Sequence, residues 1–80
     1  MSTSAIRIEP RAVDVRVTED ALVVRLADGR ELSVPLAWFP KLQSAPAAAP
    51  QEWRLIGGGV GIHWPQVDED LSVAGLLASR

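Results

Sequence analysis

The chain predicts a small single domain of the α+β class, and three observations carry that prediction. Apolar and polar residues alternate from Ala12 to Leu36, an Asp28-Gly29 pair interrupts the alternation, and Ser72 stands just before a short apolar helical pattern at the C-terminal end. Together they describe an N-terminal three-stranded antiparallel meander, a short middle helix, a second short hairpin and a C-terminal helix. Residues 1–11 read as an N-terminal extension or edge segment, and residues 12–80 as the single domain.

In order along the chain, Val13, Val15 and Val17 alternate with Asp14, Arg16 and Thr18. A period of two in β-branched residues predicts a strand with one buried face. Glu19-Asp20 supplies the turn. Leu22, Val24 and Leu26 continue the period, and Val23 adds apolar surface on the other face, so the second strand is expected at the centre. Asp28-Gly29 is a tight-hairpin signal, because glycine accepts the positive φ a turn needs. Leu32 and Val34 form the third strand, which Pro35 ends or confines to an edge for want of an amide hydrogen. Apolar residues at 36, 38, 39 and 42 fit one face of a short helix, with Pro40 tolerable in its first turn. Ser44 to Pro50 reads as a loop or a single helical turn. Trp53, Leu55 and Ile56, then Ile62 and Trp64, flank Gly57-Gly58-Gly59 as the arms of a second hairpin, and Pro65 to Asp70 reads as an acidic loop. Ser72 caps a helix from Val73, with Leu76 and Leu77 on its buried side.

Eighty residues bound the chain to one domain, which buries only about 60% of its unfolded surface. With no cysteine, neither disulfides nor thiolate metal sites can staple it. Eight Lys and Arg against ten Asp and Glu give a net charge of -2, unlike the basic face of a nucleic-acid binder. No apolar run approaches the roughly 20 residues that span a bilayer, and the start has no secretory apolar core. The expectation is a cytoplasmic chain with no nucleic-acid or membrane partner.

The candidate chemistry lies between Gly61 and Leu77. The glycine triplet lacks the lysine and hydroxyl of a phosphate loop, so it reads as a hairpin turn. His63 is the one side chain that titrates near neutral pH, yet the alternation around Ile62 and Trp64 makes it the outward residue of a strand. No nucleophile motif surrounds it, and Asp68-Glu69-Asp70 lacks the ligand spacing of a calcium loop. Neither a cofactor nor a metal is expected. Acids just before a helix are favoured by its positive end, which explains at least one of the three. The rest are a candidate contact for a basic partner. Trp38, Trp53 and Trp64 are more often core than surface in so small a domain, but an exposed one becomes the first interface candidate. The candidate partner contacts are therefore Trp38, His63, Trp64, Asp68, Glu69 and Asp70.

These residues resemble a known family. Leu26 to Arg30 with Val34 to Pro40 is similar to the "DGR…VPLxWYPRL" segment of the bacterial domain-of-unknown-function family 2442. Trp53 to Gly57 with Gly61 to Pro65, and Val67 to Val73 with Gly75 to Leu77, are similar to its next two segments. The likeness runs in order from about Ala12 to Arg80. It implies the same compact α+β fold and transfers no catalytic residue. Some members of the family carry a C-terminal helix-turn-helix domain, which this chain is expected to lack. Others sit beside another small domain of unknown function, in pairs suspected to be toxin–antitoxin modules. Ala74 stands where the family usually has glutamate, and Ala47 to Pro50 replaces a more polar helical segment. The first expectation is therefore a non-enzymatic interaction module, the antitoxin-like member of a two-protein pair, bound to a small protein encoded by a neighbouring gene. The alternatives are a small ligand-binding or enzymatic domain using His63 with Asp68 or Asp70, and a homodimeric structural domain.

Overall fold

The structure, a computed structural model, describes residues 11–46 and 48–78. The expected extension lies outside them except for Arg11. Over the described residues the fold is α+β, with two three-stranded antiparallel sheets and two short helices.

The first sheet is the expected meander: β1 (Ala12–Val17), β2 (Ala21–Leu26) and β3 (Glu31–Pro35), with β2 central. Thr18 Oγ1 accepts the N–H groups of Asp20 and Ala21, which closes the β1–β2 turn. The β2–β3 turn is a three-residue loop: Leu26 donates its N–H to the Arg30 carbonyl, and Gly29 holds φ +95°. Leu22, Val24 and Leu26 are buried, as the alternation predicts. In β1 the prediction fails at one residue. The register slips between Ala12 and Asp14, a bulge that turns Ala12 inward and leaves Val13 51% exposed.

A single 3₁₀ turn (Leu36–Trp38) leads into α1 (Pro40–Gln43), where Pro40 occupies the first turn and needs no donor. Leu36 and Leu42 point into the core. A further 3₁₀ turn, Ala49–Gln51, is the single helical turn of the middle segment.

The second sheet contains β4 (Arg54–Ile56), β5 (Gly61–Trp64) and β6 (Glu69–Ser72) in that order. The glycine triplet connects β4 to β5, as expected of a hairpin turn. The third strand corrects the sequence reading, which placed an acidic loop from Pro65 to Asp70. Glu69 and Asp70 belong to β6, because its backbone completes β5 through the pairs Trp64–Glu69, His63–Asp70, Ile62–Leu71 and Gly61–Ser72. These acids therefore do not stand at the helix entrance; α2 (Val73–Ala78) has no acid in its first turn. Ser72 does cap it, its Oγ accepting the Gly75 N–H at 2.8 Å. Val73 and Leu76 form the inward stripe of α2, whereas Leu77 is exposed beside it.

One core joins the two sheets, built from Leu22, Val24 and Val34 of the first and Ile62, Trp64 and Val73 of the second half. Trp64 is fully buried, and its Nε1–H donates to the Pro50 carbonyl at 2.8 Å, which satisfies the indole in the dry interior. Gly59 lies so close to Ala12 that a Cβ there would stand 2.4 Å from the Ala12 carbonyl oxygen. The Gln51 amide donates to the Val17 carbonyl at 2.9 Å. The edge of β1 is thus covered by the second half of the chain.

Candidate functional site

The register of the second sheet decides which candidate residues meet. On its outer face Arg54, His63 and Asp70 form one row across β4, β5 and β6. His63 Nδ1 contacts Asp70 Oδ1. A carboxylate can accept from an imidazole N–H in such a contact. Ser72 shares that face, with its Oγ engaged at the helix cap. A carboxylate-oriented imidazole can take up and return a proton, the minimum equipment of a general base. Here the pair lies on an open strand surface, with Asp70 68% exposed at its side chain. A cross-strand pair of this kind stabilises a sheet by about 0.2–1 kcal/mol.

Asp68 and Glu69 do not join the pair through any hydrogen bond of their side chains. Asp68 occupies the left-handed region at φ +53°, which aspartate tolerates better than most residues. Its carbonyl accepts from Lys41 Nζ at 3.2 Å. In the same turn, Gln66 Nε2 donates to Glu52 Oε1. The first bond fastens the 65–68 turn to α1, which follows the 3₁₀ turn that bears Trp38, and the second fastens it to Glu52 at the end of the Ala49–Gln51 turn. Trp38 is 48% exposed. The sequence candidates therefore separate by environment. Trp38, Asp68 and Asp70 stand at the surface, His63 and Glu69 are half-buried, and Trp64 is a core residue with no surface for a partner. Among the described residues, no three His, Cys, Asp or Glu groups lie together to hold a metal ion, and no helix is long and apolar enough to cross a membrane.

Two features escape the sequence. An open groove of about 400 Å³ has Val17, Glu19, Leu36, Leu42, Pro50 and Gln51 among its lining residues. Its walls come from three separated stretches, so no local pattern announces it. On the outer face of the first sheet, Arg25 stands between Asp14 and Glu31 in one cross-strand row. That row too follows only from strand pairing.

A family model, described as a protein of unknown function (DUF2442), matches residues 12–80. The chain belongs to that family. DUF2442 membership covers both sheets and both helices. Among solved structures, the chain is similar to the crystal structure of a protein of unknown function from Rhodospirillum rubrum ATCC 11170, determined at 2.75 Å resolution. The two share 32% identity over 89% of this chain and 88% of that chain, with a TM-score of 0.77. No curated protein matches.

Proposed function

We propose that this DUF2442 chain is a non-enzymatic protein-interaction module, the antitoxin-like member of a two-protein pair. The observation that supports it is Trp38: a large aromatic side chain left 48% exposed in a domain with few aromatics, three residues before the Lys41 that bonds the Asp68 carbonyl. Tryptophan is enriched among the residues that carry most of an interface's binding energy. The partner surface comprises Trp38, Asp68 and Asp70, with His63 and Glu69 at its margin, and it suits a small protein with a basic contact patch. The pairing with a neighbouring gene's product rests on the family resemblance. Co-expression with that product tests the role. Co-purification in a fixed stoichiometry is the expected result, and absence of a complex at micromolar concentration refutes it.

A second reading has one observation of its own, the His63–Asp70 contact. In it the chain is a small ligand-binding or enzymatic domain in which Asp70 orients His63. His63→Ala would then abolish a binding or catalytic signal while leaving the melting temperature almost unchanged. A variant that is merely less stable assigns the pair to the sheet.

A further inference from the structure

The meander has two edges, and among the described residues only one of them is covered. At β1, Gln51 occupies the Val17 carbonyl and Gly59 presses on Ala12. At the other edge, β3 pairs with β2 on one side only. The bond from Leu26 N–H to the Arg30 carbonyl fixes the alternation along this ladder. Leu32 and Val34 turn their backbone groups toward β2, opposite Val24 and Leu22. Glu31 and Ser33 turn theirs outward, and Pro35 presents a carbonyl alone. An exposed row of this kind is a template for another strand.

We propose that two copies of the chain pair antiparallel through β3, joining two meanders into one six-stranded sheet. One register satisfies the side chains. With Leu32 opposite the second copy's Leu32, each Glu31 faces a Ser33, and two complete hydrogen-bonded pairs form. A slip in one direction sets Glu31 against Glu31, where like charges repel. A slip in the other sets Glu31 against Pro35, which has no donor. In the favoured register Val34 lies opposite the second copy's Arg30. The 36–38 turn then lies beside the second copy's 27–29 hairpin tip. Trp38, 48% exposed, meets the second copy's Arg30, whose side chain is 56% exposed. A planar cation on an indole face is a favourable contact, and the two-fold makes it twice. The dimer rests on Trp38 as an interface residue and names one of its occupants as a second copy.

Light scattering and sedimentation of the full chain test it. The expected mass is twice 8.6 kDa at tens of micromolar. Ser33→Pro removes an N–H for which no described residue is an acceptor; it is expected to keep the circular dichroism spectrum and return the mass to that of a monomer. Trp38→Ala is expected to weaken self-association at least about tenfold. In the wild type, the Glu31 and Ser33 amides should exchange more slowly as concentration rises, which requires no variant to fold. A monomer throughout the micromolar range, concentration-independent exchange at both amides, or a folded Ser33→Pro dimer would each overturn the proposal. A monomer that still captures the neighbouring gene's product refutes β3 pairing alone and leaves the interaction role standing.

Discussion

Gly59 and Gly29 both hold positive φ, at +109° and +95°, but for unequal reasons. At Gly29 a Cβ would meet nothing within 4 Å, so Gly29→Ala carries only the backbone penalty of about 1–2 kcal/mol. At Gly59 the same atom would collide with the Ala12 backbone. Gly59→Ala is therefore expected to lower the unfolding free energy by about 2–4 kcal/mol, the strain and overpacking terms together. Urea denaturation of the two variants measures the difference. Asp28 supplies a pH effect at the same scale. The Arg30 N–H bound to its carboxylate, with the Arg30 guanidinium at 2.8 Å, holds Asp28 below the ordinary carboxylate range. A folded value below the unfolded one means stability present above about pH 4 and lost as pH falls through and below that value. Asp28→Asn is expected to flatten the acid limb of a plot of denaturation midpoint against pH.

Among the elements, α2 depends most visibly on a single side chain. Ser72→Ala removes the capping hydroxyl that accepts the Gly75 N–H and is expected to destabilise the protein by about 1 kcal/mol, read as a lower melting temperature with unchanged folded spectra. This cap, the β1–β3 meander and Pro40 at the start of α1 were legible in the sequence, because each rests on local periodicity or local backbone chemistry. The strand β6 was not. Glu69-Asp70-Leu71-Ser72 contains one apolar residue, too few to show a period, and it becomes a strand through pairing with β5. Val13 escaped for a different reason: a bulge is a backbone event that the alternation of side chains does not record. The candidate site divides in the same way. His63 was legible as the outward residue of a strand, whereas its contact with Asp70 required the β5–β6 register. The exposure of Trp38 and the burial of Trp64 required the assembled core.

For the whole molecule, Trp64 ties the two halves together, with its ring in the shared core and its N–H on the segment between the sheets. Trp64→Ala is expected to cost about 3–5 kcal/mol, a large share of the roughly 5–15 kcal/mol that stabilises an ordinary domain. A chain this small should then be substantially unfolded near body temperature, as circular dichroism would show. Trp38 is the opposite case, since its replacement removes exposed surface and should leave the fold intact. That contrast separates stability from recognition. Its most direct test is titration calorimetry of the purified chain against the product of the neighbouring gene. A micromolar or tighter complex is expected, at least about tenfold weaker with Trp38→Ala and unchanged with the surface control Val13→Ala. No heat of binding at micromolar concentration, or equal affinity for wild type and Trp38→Ala, would contradict it.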